Sequence, residues 1–132
     1  MAKSAIYTAS TGTQTVSAGG TIALGSVVRR FGGCVNLNGN GINLTAPGYY
    51  LVNVSTTASP TAAGNISLTM LNNGVAVPGA ISTSSVSTAG SPATLDSTII
   101  IKVNCCGNAA TLTLVMSSAA TVNNVAVTVV KI

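Results

Sequence analysis

Apolar and polar residues alternate with a period of two along most of this chain. Ile66, Leu68 and Met70 share one face of a stretch whose other face carries Ser67 and Thr69. Leu112, Leu114 and Met116 line up opposite Thr111 and Thr113, and Val125, Val127 and Val129 fall together near the end. Ile99, Ile101 and Val103 repeat the pattern. Such alternation predicts half-buried β-strands, and no stretch shows the 3.6-residue period of a helix.

Turn signals fall between these runs. Asn38-Gly39, Asn40-Gly41 and Asn73-Gly74 tolerate the positive φ of hairpin turns. Ala46-Pro47-Gly48 and Val77-Pro78-Gly79 fit type II turns, with proline and glycine at the two central positions. Ser82 to Pro92 is rich in small polar residues and reads as a long surface loop or a weak edge strand. Many short strands with regular turns predict an all-β sandwich or barrel. Residues 1–132 read as a single domain, with about 1–12 an N-terminal arm or first strand.

Some apolar residues stand on the face that should meet water. Tyr49 and Leu51 point opposite to Tyr50, Val52 and Val54, and Ile100 points opposite to Ile99 and Ile101. Val115 and Val130 also lie off the main apolar face. Scattered singly, such residues are ordinary. Gathered, they form a patch that a monomer seldom exposes, and contact between subunits is the natural way to bury it.

Composition narrows the chemistry. Only 5% of residues are charged, with Asp96 as the sole acid and no histidine. Hydrolytic triads need a base held near a nucleophile, normally histidine, and glycosidases of the common type need two carboxylates. Lys102 lies on a strand, facing away from the core pattern. An enzyme is therefore not expected, and no cofactor or metal site is predicted. Gly39-x-Gly41 is turn glycine, because no helix follows to hold a phosphate. The Asn-x-Ser/Thr matches at Asn43, Asn53 and Asn65 are frequent by chance in such a composition.

The net charge of +4 comes from Lys3, Arg29, Arg30, Lys102 and Lys131, which are spread along the chain. No dense basic stripe marks a nucleic-acid partner. No run approaches the ~20 apolar residues of a membrane span, and the start shows no apolar export segment. Cys34, Cys105 and Cys106 allow two readings. They are small buried apolar residues, or Cys34 bridges one of the adjacent pair and leaves an odd thiol.

The stretches "APGYYLVNV" (Ala46 to Val54) and "ISLTMLNNGVAVPGA" (Ile66 to Ala80) resemble the middle of a tumour necrosis factor-like jelly roll, with a closer likeness to the globular heads of complement-type and bacterial collagen-like proteins. Gly48 and Tyr50 match the first two positions of that family's Gly-x-Tyr-x-Phe signature, while Val52 replaces its aromatic third position. The closing "NVAVTVVKI" is similar to the family's last strand. The resemblance implies a two-sheet antiparallel jelly roll that assembles as a homotrimer around its inner sheet. Tyr49, Leu51, Ile100, Val115 and Val130 are then the expected trimer interface. The carboxylate clusters that hold calcium in some relatives have no counterpart here.

Function is expected to be structural: a trimeric bacteriophage capsid decoration protein on the virion exterior, bound to the major capsid protein or another virion surface. Lys3, Arg29 and Arg30 are the candidate docking residues. The missing export segment and the absence of a collagen stalk favour this expectation. The alternative is a receptor- or carbohydrate-binding head on a bacterial cell or spore surface, or on a phage fibre.

Overall fold

The computed structural model describes residues 3–103 and 110–132. Its strands are β1 (Ala5–Ser10), β2 (Gln14–Val16), β3 (Ser26–Phe31), β4 (Val35–Asn38), β5 (Gly41–Leu44), β6 (Gly48–Pro60), β7 (Gly64–Asn72), β8 (Val75–Val86), β9 (Ala93–Val103), β10 (Ala110–Met116) and β11 (Ala120–Lys131). Among the described residues there is no helix, so none is long and apolar enough to cross a membrane.

Two antiparallel sheets result. The first runs β3-β1-β11-β6-β9, with β2 added beside the start of β11. The second runs β4-β5-β10-β7-β8. The chain changes sheet between β3 and β4, β5 and β6, β6 and β7, and β8 and β9, and again on either side of β10. Strands neighbouring in sequence therefore face each other across the core more often than they pair. This is a two-sheet antiparallel jelly roll.

The alternation supplies the core. Ile66, Leu68 and Met70 from β7, Leu112, Leu114 and Met116 from β10, and Val125, Val127 and Val129 from β11 are all buried in one cluster. Tyr50 joins them fully buried, and its hydroxyl donates a 2.6 Å hydrogen bond to the Ala46 carbonyl. That bond lets a polar atom sit inside without an unpaired donor. Ile22 and Leu24, outside any strand, are also buried. Their segment bonds to the free edge of β10 through Ile22 N–H to Leu114 O, and Gly19 N–H to Met116 O.

Asn73 and Gly74 make the β7–β8 hairpin with φ of 53° and 85°, as the Asn-Gly signal predicts. The two Pro-Gly stretches part ways: Gly79 has the φ of 81° that a type II turn asks of its second central residue, and Gly48 does not. Ala46-Pro47-Gly48 carries the chain from β5 in one sheet to β6 in the other, and Gly48 has φ 140°, far from the type II value. Pro78 and Gly79 lie inside β8, close to a register shift against β7. An edge strand tolerates proline, and glycine at φ 81° suits a local bulge. Ser82–Val86 continues β8 as an edge strand, and residues 87–92 connect it to β9.

Strand β3 is bracketed by two glycines in the left-handed region, Gly25 at φ 82° and Gly32 at φ 80°. A Cβ on Gly25 would lie 2.2 Å from the Ala9 carbonyl oxygen. One on Gly32 would lie 2.4 Å from the Lys3 carbonyl oxygen. Both contacts are against backbone of β1 or the residues leading into it. Glycine is what allows β3 to join the sheet.

Candidate functional site

The register of the first sheet places its outward-facing residues in rows that cross all the strands of the β3-β1-β11-β6-β9 path. Phe31 pairs with Ala5, Ala5 with Val130, Val130 with Leu51, and Leu51 with Ile100. This row is apolar from edge to edge. Leu51 is 38% exposed, Ile100 58% and Phe31 59%, while Ala5 and Val130 are half-buried between them. A single exposed leucine means nothing, but a continuous row is the kind of surface that marks a contact site.

The row above begins with Tyr49, half exposed and paired with Lys102. The Lys102 ammonium lies 5.7 Å from the centre of the Tyr49 ring, within cation–π range. Ile132 N–H donates to the Tyr49 carbonyl and Lys131 N–H to the Ser4 carbonyl, so the ladder continues to Ile132 and Lys3. Below the apolar row lie Arg29, Tyr7, Thr128, Asn53 and Thr98, then Ser26, Ala9, Ala126, Ser55 and Asp96. The apolar row is thus flanked by Tyr49, Lys102 and Lys3 on one side and by mainly polar rows on the other.

The structure brings together four of the five residues expected at an interface: Tyr49, Leu51, Ile100 and Val130. It does not bring Val115 to them. Val115 lies on β10 in the second sheet, between Thr69 and Thr21. Alternation identifies the face of a strand but not the sheet to which it belongs. Phe31, Ala5, Tyr7 and Ile132 join the surface without having been singled out. Their signal was the off-face alternation of Ala5 and Tyr7 against Ile6 and Thr8, which gains meaning only once β1 is known to pair with β11 and β3.

The expected docking residues are also divided. Arg29 pairs in register with Tyr7 and shares its outward face. Arg30 donates from Nε to the Val35 carbonyl at 2.7 Å and from Nη2 to Asn36 Oδ1, clipping the β3 edge of one sheet to the β4 edge of the other. Lys3 is exposed, just ahead of β1.

Cys34 is half-buried and forms no disulfide among the described residues, while Cys105 and Cys106 lie outside them. Its backbone is held by Ser4 Oγ, which accepts its N–H at 3.2 Å, and by Thr45, whose N–H donates to its carbonyl. Burial pushes the Tyr50 phenol pKa above its ordinary value; the nearby Cys34 adds to the rise and the bond to Ala46 opposes it.

A groove of about 240 Å³ opens beside the row, between the β7–β8 hairpin and β9, lined by Val75, Val77, Pro78, Ile100 and Lys102 among others. It is smaller than the usual range for small-molecule sites. Among the described residues no group of histidine, cysteine or acidic side chains is placed to hold a metal ion.

The sequence matches no family model, and no curated protein matches it. Solved structures do match. Murine APRIL at pH 5.0 superposes with a TM-score of 0.76 at 12% identity, covering 98% of this chain and 99% of that one. The globular domain of zebrafish complement 1qA protein gives 0.71 at 8% identity, over 97% and 95% of the two chains. PRD1 vertex protein P5 gives 0.66 at 19% identity, over 98% of this chain and 73% of that chain. At these identities the likeness speaks for the fold, which the sheet order and the shared core show independently. This chain has the tumour necrosis factor-like jelly-roll fold.

Proposed function

We propose that this chain is a non-enzymatic structural subunit that assembles as a homotrimer through the outward face of its first sheet and decorates the exterior of a bacteriophage capsid. The observation that carries the reading is the unbroken apolar row Phe31–Ala5–Val130–Leu51–Ile100. Covering its half-exposed large side chains gains on the order of 1 kcal/mol each, and several of them in each copy offset the entropy lost on association. A virion setting is supported by the likeness to PRD1 vertex protein P5 over 98% of this chain. The absence of histidine and the single acid support a passive role. Added contacts between capsid subunits would stabilise the shell by mass action.

Light scattering on a sizing column tests the assembly. The expected mass is three times the 12.9 kDa chain. A mass equal to one chain at all concentrations overturns the trimer. Decoration is tested by electron microscopy of purified virions with an antibody raised against this chain. Label on the outside of the head is expected, and unlabelled heads overturn that part of the reading.

A further inference from the structure

Asp96 is the chain's only acidic residue, and it belongs neither to the core nor to the apolar row. It is exposed on the outward face of the first sheet, on the edge strand β9, opposite Ser55. Cations of its own copy are far away. Lys102 is six residues along the same strand, about 20 Å at strand rise. Arg29 stands at the opposite edge, four strand spacings across, about 19 Å. Both distances exceed the screening length at physiological salt.

Resting on the proposed contact between copies, we infer that Asp96 of one copy pairs with Arg29 of the next and sets the register of the ring. β9 and β3 are the two opposite edges of the sheet, and a head-to-tail ring that sets the β9 edge of one copy against the β3 side of its neighbour brings the two residues together. A contact that joined like edges would instead set Asp96 against Asp96 and Arg29 against Arg29. Of the cations near the β3 edge, Arg30 is spent on Val35 and Asn36. Lys3 lies two rows above Arg29. Arg29 is left, in the outward row adjacent to that of Asp96, a step of about 7 Å along the strands that a long arginine side chain covers. Guanidinium and carboxylate match as a two-pronged pair. The apolar row supplies the adhesion, and this pair selects one relative height of the copies.

The test is native mass against protein concentration for the full chain and for R29E, D96K and the double variant R29E/D96K. Because the contact repeats around the ring, each single reversal is expected to raise the concentration needed for assembly by about tenfold or more. The double variant is expected to return most of that loss. Both side chains are exposed, so circular dichroism should show an unchanged fold. The milder pair D96N and R29Q replaces any reversal that fails to fold. A wild-type trimer whose single variants assemble normally, or whose double variant is no better than the sum of the singles, overturns this pairing and leaves the trimer standing. A wild-type monomer overturns both.

Discussion

On the outer face of the second sheet, polar side chains satisfy one another across the strands. Ser67 and Thr83 hydroxyls lie 2.9 Å apart, Thr111 donates to Asn43 Oδ1 at 3.0 Å, and Ser85 donates to Asn65 Oδ1 at 2.9 Å. On the outer face of the first sheet, the corresponding positions hold Phe31, Val130, Leu51 and Ile100, side chains with no polar group to satisfy. Both sheets use the same alternation, and their inward faces fill one core. The outward faces differ in what they ask of the surroundings. The first carries an apolar row from edge to edge, whereas on the second Ile81 is exposed singly, beside Thr69 and among hydrogen-bonded polar side chains.

The sharpest way to break this comparison is to place the same charge on each face. Leu51→Asp is expected to convert the proposed assembly to single chains, raising the concentration for association by roughly a hundredfold or more, because it buries an unpaired charge. Thr83→Asp on the second sheet should leave the native mass unchanged. Val115→Thr should also leave it unchanged, since Val115 belongs to the second sheet. Dissociation by either second-sheet variant would show that both faces take part.

The frame that holds the first face in place is tested next. Gly25→Ala is expected to cost about 2 kcal/mol or more, because the residue needs positive φ and the new Cβ meets the Ala9 backbone. Thermal unfolding would show this. Loss of β3 would also remove Phe31 and Arg29 from the face, so the proposed trimer should weaken in step.

A pH effect should come from the core beneath the face. The folded-state pKa of Tyr50 is raised, so the folded protein keeps its phenol proton longer than the unfolded chain does. The stability this contributes is fully present below the ordinary tyrosine pKa of about 10 and is lost as pH rises from there through the folded value. Denaturant midpoints should therefore fall above pH 10, and Tyr50→Phe should flatten that decline.

The smallest effect concerns two threonines that face the core from the first sheet. Thr8 and Thr56 are fully buried, and their hydroxyl oxygens have no hydrogen-bond partner among the described residues. Thr56→Val keeps the shape and removes the unpaired group, so a gain of about 1 kcal/mol in chemical denaturation is expected.

How much of this was legible differs from element to element. The buried faces of β7, β10 and β11 and the Asn-Gly hairpin could be read locally, because a period of two and a positive-φ dipeptide are properties of a few adjacent residues. The proline-glycine stretches could be read locally only in part, since Gly79 takes the type II φ and Gly48 does not. Locally each looks like a hairpin turn, yet the first is a crossing between sheets and the second lies inside the edge strand β8. Val115 shows the limit most clearly, since its alternation matches that of Leu51 while its strand belongs to the other sheet.

By itself, the sequence determined the all-β class, the alternating residues that fill much of the core, and the scarcity of charge. The tertiary structure alone decided that Phe31, Ala5, Val130, Leu51 and Ile100 form one row, and that Asp96 and Arg29 stand at opposite edges of one face. The reason is physical. Burial is written in local alternation, but the pairing of β3 with β1, β1 with β11 and β6 with β9 joins residues far apart in the chain, and only the closed sandwich selects those partners.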